Sequence, residues 1–247
     1  VQEEVQLDAA GRSRFLLSTA SAFACFSVFV LASPWISALA FVILDQVPSC
    51  RDQAPWIAAS CAALGAQILA LALGIAFLHM LKLPWIRTTV PSKSCIRQVL
   101  YAYLIMLGAL LLQLLSTAFC KQVLGLEQTE QHAIQQFTQC QILAPLAIPI
   151  FVLVATVGAP LMEEVIFRGL LYSGLRHQMN WLPAALVSAA IFAVIHFDPW
   201  QFLGLFGLGF AFAFVREKTG SLLLAMFLHA SNNIFTVSIM LLLQERN

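Results

Sequence analysis

"GAPLMEEVIFRGLL", residues 158–171, sets Glu163, Glu164 and Arg168 inside a long apolar run. No other Asp, Glu, Lys or Arg occurs between residues 131 and 175. The rest of the chain explains why this matters. Its 247 residues are 60% hydrophobic and 10% charged, with a mean hydropathy of +0.86, whereas a soluble domain carries about 25% charged residues. A water-soluble core cannot absorb that difference, so the chain reads as a polytopic membrane protein. Helix is the expected state, because a bilayer satisfies backbone groups only in helices or closed barrels, and the apolar runs lack the alternation of barrel strands. The fold class is therefore all-α, a single integral-membrane domain over residues 1–247.

A crossing helix needs about 20 apolar residues. Working outward from the quoted stretch, the pattern predicts eight segments. Residues 15–44, 54–81 and 98–120 form the first three spans, with Pro34 inside the first. Segments 141–162, 161–177, 182–197, 200–215 and 220–243 follow. Pro145, Pro149 and Pro160 are expected to bend or shorten the fourth, since proline removes a helix hydrogen bond. Residues 122–141 form a Gln-rich polar stretch, expected to be a loop or interfacial helix. Lys and Arg favour the cytoplasmic side of short loops. Arg12 and Arg14 before the first span, and Lys82, Arg87, Lys93 and Arg97 after the second, therefore predict cytoplasmic ends there. Eight crossings would place both termini in the cytoplasm. Arg176, Arg216 and Lys218 would then fall on the outer side, against the rule.

Composition also excludes some functions. A formal net charge of +1 gives no nucleic-acid footprint. All six Cys lie at or before residue 140 without a C-x-x-C pair, which suggests neither a disulfide framework nor a zinc ribbon. There is no H-E-x-x-H motif, and none of Ser173, Ser188, Ser221 and Ser231 sits in a G-x-S-x-G elbow.

Ionised groups within a membrane cost about 2.5–3.5 kcal/mol each on insertion scales, so they need partners or a wet cavity. Glu164 and Arg168 are spaced i, i+4 and can pair on one helix face. Glu163 points about 100° away and needs another partner. His196 ends the next apolar segment, and an antiparallel neighbour would bring it beside Glu163. His229 and Asn233 share one face of the last segment, again by i, i+4 spacing. Phe192, one turn before His196, reads on its own as apolar packing. His79 and His177 read as interfacial residues, and His132 as part of the polar stretch. Taken singly, a membrane His or Asn usually only hydrogen-bonds a neighbouring helix. As a set, Glu163, His196, His229 and Asn233 suit water-activated hydrolysis: a carboxylate as general base, an imidazole sharing the proton, and donors for a developing oxyanion. A zinc site from Glu163, His196 and His229 also satisfies the ligand count. Structural glue in a non-enzymatic membrane partner and a proton-relay transporter are the other readings.

These residues also resemble a known family. "EEVIFR" at 163–168 is similar to the E-E-x-x-x-R motif of the CPBP family, the prenyl-CAAX-protease and bacteriocin-processing (Abi) intramembrane proteins. "FAVIH" at 192–196 is similar to its F-x-x-x-H, and "HASNN" at 229–233 to its H-x-x-x-N, in the family's order. The resemblance covers about residues 142–243, and the first 140 residues carry no motif. It implies an eight-helix CAAX-protease-like bundle and a glutamate endopeptidase without metal or cofactor. By that analogy Glu163 and His196 activate water, His229 and Asn233 form the oxyanion hole, and Glu164, Arg168 and Phe192 support the site. The implied substrate is a peptide or protein, with prenylated CAAX-type chains as one class and small peptides as another. Bacteriocin immunity is the non-enzymatic alternative. The implied active site opens to the cytoplasm, in contact with membrane lipid.

Overall fold

The computed structural model describes residues 9–83, 93–123, 125 and 145–244. Most of the polar stretch 122–141, Arg87, and the start of the segment predicted at 141–162 lie outside these residues. The described residues are helical and contain no strand. Seven helices of fourteen residues or more occur among them: α1 (Ala9–Asp45), α2 (Ala54–Met80), α3 (Lys93–Gln122), α4 (Ile148–Leu175), α5 (Trp181–Val194), α6 (Phe202–Thr219) and α7 (Leu222–Gln244). Five of them (α1, α2, α3, α4 and α7) are long and apolar enough to cross a membrane. The helix α5 is apolar but shorter, and α6 ends in the charged run Arg216–Glu217–Lys218. The chain is an all-α, multi-pass membrane protein.

The segments predicted at 141–162 and 161–177 are not two helices. They fuse into α4, which runs through Pro160 without a break. A proline ring clashes with the carbonyl four residues back in an α-helix. Here the turn just before it, Val154–Gly158, is π-helical. The wider turn makes room for the ring, and the Ala159 N–H bonds to the Val154 carbonyl instead. Pro149 sits in the first turn of α4, where its missing N–H costs nothing. The remaining predicted helices stand close to their expected limits, and Pro34 lies inside a continuous α1.

The fusion changes where the chain ends lie. Arg14 near the start of α1, Lys82 after α2, Arg176 after α4 and Gly220 before α7 all line one cavity at one end of the bundle. From that end α7 runs 23 residues, roughly 35 Å at 1.5 Å per residue. Ala9 and Gln244 therefore stand at opposite ends. The expected eight crossings, which would return the chain to its starting side, are not found among the described residues.

Helix α4 is the centre of the bundle. Its Val165, Ile166, Leu170 and Leu171 pack with Ala22 and Cys25 of α1, Leu78 of α2, Ala185 and Phe192 of α5, and Leu222 of α7. Leu31 and Leu39 of α1 and Leu107, Leu111 and Leu115 of α3 are exposed, as helices facing hydrocarbon require. Small residues set the α3–α6 contact: a Cβ on Gly207 would overlap Ala109 Cβ. Close backbone approach is the usual basis of helix association in lipid. Gln113 of α3 clamps the start of α6 through the Trp200 carbonyl and the Gly204 N–H. Overpacking a filled interface costs about 1–3 kcal/mol. Gly207→Val should accordingly lower the unfolding temperature in detergent, and adding Ala109→Gly should recover part of the loss. No recovery in the double variant would show that the close contact is not what Gly207 provides.

Candidate active site

Glu163 and Glu164 end a short α-helical piece, Ala159–Glu164, bracketed by π-helical turns at Val154–Gly158 and Val165–Leu171. Such turns leave carbonyls without their usual partners and recur at functional sites. Ala155 illustrates the consequence. In a π register its carbonyl would look to the N–H five residues on, but that residue is Pro160, which has none. Asn233 of α7 supplies the donor, its Nδ2 lying 2.8 Å from the Ala155 oxygen. In the second π turn, the Ser173 and Ser188 hydroxyls donate to the Arg168 and Phe167 carbonyls at 3.2 and 3.4 Å.

The Glu164–Arg168 pair forms as the i, i+4 spacing predicts. Arg168 Nη1 is 3.0 Å from Glu164 Oε1, and both side chains are fully buried. Nη2 donates to the Gly209 carbonyl of α6 at 2.9 Å. The guanidinium carbon lies 4.7 Å from the Phe192 ring centre, 5.2 Å from Phe212 and 5.7 Å from Phe167. A desolvated cation gains from aromatic faces as well as from its counter-charge. Gly209 permits this approach, because a Cβ there would come within 3.2 Å of Arg168 Nη2 and 3.1 Å of the Ala189 Cα.

His229 ties the two glutamates together. Its Nδ1 is 3.0 Å from Glu164 Oε1, and its Nε2 is 3.9 Å from Glu163 Oε2. Adjacent residues on a helix cannot share one contact easily, but the two nitrogens of a single ring reach both. The imidazole stacks on Phe212, with centroids 4.6 Å apart and planes 19° apart. Glu163 differs from Glu164 in access: its side chain is 17% exposed, that of Glu164 not at all. Two groups, one sealed and one open, are thus held on one ring.

The expected partner of Glu163 was His196, and in the structure the neighbouring imidazole is His229. His196 lies just beyond α5 and is exposed. Its Nδ1 is 2.7 Å from the Phe192 carbonyl, leaving Nε2 outside that bond. Phe192 is more than packing: its ring lies 4.8 Å from the His196 ring, 5.9 Å from His229 and under Arg168. The donors expected for an oxyanion are engaged, His229 with the glutamates and Asn233 with Ala155. Sequence reasoning missed Gly209 and Phe212. The signal was present in "GLFGLGFAF" at 204–212, where closely spaced glycines mark a helix that others approach. Among the described residues, no group of three or more His, Cys, Asp or Glu side chains is placed to hold a metal ion.

Residues 145–235 match the family described as type II CAAX prenyl endopeptidase Rce1-like. The match covers 91 of the chain's 247 residues. It contains α4 to most of α7, and with them Glu163, Glu164, Arg168, Phe192, His196, His229 and Asn233. A protein of Bacillus subtilis (strain 168) named "Putative membrane peptidase YdiL" is 33% identical over 91 residues, 37% of this chain and 37% of that protein. The chain thus matches little more than a third of the length of this curated relative. No solved structure matches the chain. The Rce1-like stretch is the part built around α4, and α1–α3 lie outside it.

Removing one partner of a buried ion pair costs about 3–5 kcal/mol, whereas replacing both with apolar groups is often neutral. Arg168→Ala should therefore destabilise severely, and Glu164→Leu with Arg168→Met much less, in thermal unfolding of the purified protein. Equal loss in both would mean that Gly209 and the aromatic rings, not the carboxylate, account for the role of Arg168.

Proposed function

We propose that this chain is a membrane endopeptidase in which Glu163 activates the attacking water. The observation that carries the reading is the arrangement on His229. Glu164 holds its Nδ1–H, which leaves Nε2 facing Glu163, the one carboxylate of the pair that is open. A carboxylate that orients an imidazole through one nitrogen leaves the other for proton transfer. The Rce1-like match over the same residues supports the coarser reading of a membrane endopeptidase.

In this mechanism Glu163 takes a proton from water as the water oxygen attacks the scissile carbonyl. The carbonyl oxygen becomes the oxyanion of a tetrahedral intermediate. The C–N bond then breaks, and the proton passes from Glu163 to the departing amine. His229 stabilises the charge on this path, and His196, fixed through Nδ1 by the Phe192 carbonyl, presents Nε2 to water or substrate. Asn233 donates one amide hydrogen to Ala155 and retains a second for the oxyanion. Glu164 and Arg168 position His229. The substrate is a peptide or protein, and prenylated CAAX-type peptides are the first class to try, given the family that the stretch resembles.

Loss of a positioned general base typically costs about 10²–10⁴ in rate. Glu163→Ala and Glu163→Gln should each lose cleavage by that order on prenylated or unprenylated peptides while unfolding at the wild-type temperature. Cleavage retained in either variant removes Glu163 from the reaction. Cleavage of only the prenylated peptide assigns the substrate class.

The fused α4 and the basic end support one orientation. Among the described residues Arg14, Lys82, Arg176 and Arg216 gather at one end, and the positive-inside rule favours that end as the cytoplasmic one. On this orientation Arg176 and Arg216, which an eight-crossing chain would place outside, fall on the cytoplasmic side. His196 follows the end of α5 away from that cluster, and on this reading substrate approaches from that side. A reporter inserted at residues 177–180 should be cytoplasmic, and one at 198–199 should not. The reverse pattern, or both on one side, rejects this orientation.

A further inference from the structure

The cavity at the basic end is separate from the glutamate site. Its volume is about 350 Å³. Four cations line it, each from a different part of the chain: Arg14 of α1, Lys82 after α2, Arg176 after α4 and Arg216 of α6. Glu217 is the one carboxylate among its lining residues. That charge is already committed: Glu217 accepts from the Tyr172 hydroxyl at 2.8 Å and from Arg176 Nε and Nη2 at 3.3 Å. Arg14 and Lys82 are exposed, and the positive field remains. Burial, together with the charges of Arg14 and Arg176, pushes the His177 imidazole below its usual range.

Lys82 carries a second, independent signal. It closes α2 in the left-handed conformation, at φ 51°. The Lys82 N–H bonds to the His79 carbonyl and the Leu83 N–H to the Leu78 carbonyl, the pattern of a helix C-cap that ordinarily ends in glycine. A lysine there accepts backbone strain that glycine would avoid. In the same rim, the corresponding position of α6 is Gly220, at φ 68°. The chain therefore keeps a cation at a strained position where a glycine would serve the fold better. Strain at a special position points to a function of the side chain.

We propose that this cavity is a binding site for a phosphate-bearing anion at the membrane surface, with Lys82 and Arg14 as its free-facing ligands and Arg176 and Arg216 as its wall. Basic pockets between membrane helices at the cytoplasmic side hold anionic headgroups. An anionic phospholipid headgroup and a soluble phosphate compound share this chemistry. Occupancy would link the ends of α1, α2, α4 and α6.

The test is the unfolding temperature of the purified protein in neutral detergent, with phosphatidylglycerol, phosphatidylcholine or inorganic phosphate added. A saturable rise with phosphatidylglycerol, absent with phosphatidylcholine and weakened by salt, identifies the lipid headgroup. A rise with inorganic phosphate alone identifies a soluble phosphate compound. Lys82→Gly relieves the backbone strain and so should fold at least as well as wild type, yet need about fivefold more anionic lipid for half the response. Lys82→Gly with Arg14→Gln should lose the response. Glu163→Ala should keep it, which separates this site from the proposed catalysis. No anion response in wild type, or an undiminished one in the double variant, overturns the proposal.

Discussion

Everything at the centre of this protein depends on a guanidinium that the membrane interior would otherwise reject. Arg168 is fully buried, and its charge is met from three directions: the Glu164 carboxylate, the Gly209 carbonyl and the faces of three phenylalanines. Each contact comes from a different constraint. The carboxylate follows from helix spacing on α4, the carbonyl from a glycine that lets α6 approach, and the rings from α4, α5 and α6 converging. Because an unpaired charge in lipid is so costly, these elements cannot drift independently. The ion pair locks the bundle, and the lock fixes where Glu164, and through it His229, must point.

The irregular geometry of α4 serves the same end. Two π turns bracket the glutamates, one fitted to Pro160 and the other running through Arg168. Each frees carbonyls that side chains of neighbouring helices then claim. Asn233 is bound into α4 by such a carbonyl. A regular helix would have satisfied its own backbone and offered α7 nothing to hold. The helix irregularity and the polar residues on its neighbours are therefore parts of one device, in which local backbone disruption is converted into contacts between helices.

Much of this was legible in the chain itself. The apolar runs gave the helices, the isolated charges marked the buried polar cluster, and the i, i+4 spacing gave the Glu164–Arg168 pair. Other features escaped. Proline at 160 argued for a boundary, since local rules allow no N–H there, but the π turn absorbed it and fused two predicted segments. Phe192 looked like ordinary packing because its contacts lie on other helices. Gly209 and Phe212 carry no chemistry of their own and gain a role only through Arg168 and His229.

The sequence by itself determined that this is a helical membrane protein with a buried polar cluster, because hydropathy and residue spacing are properties of a chain read along its length. It also determined which carboxylate pairs with Arg168, since a single helix turn sets that contact. Only the tertiary structure decided that His229, and not His196, stands between the two glutamates, and that the basic residues of four segments share one end. Those outcomes depend on how helices distant in sequence cross and on how one of them bends around a proline. Such distances are set by packing among many side chains at once, which no local stretch encodes.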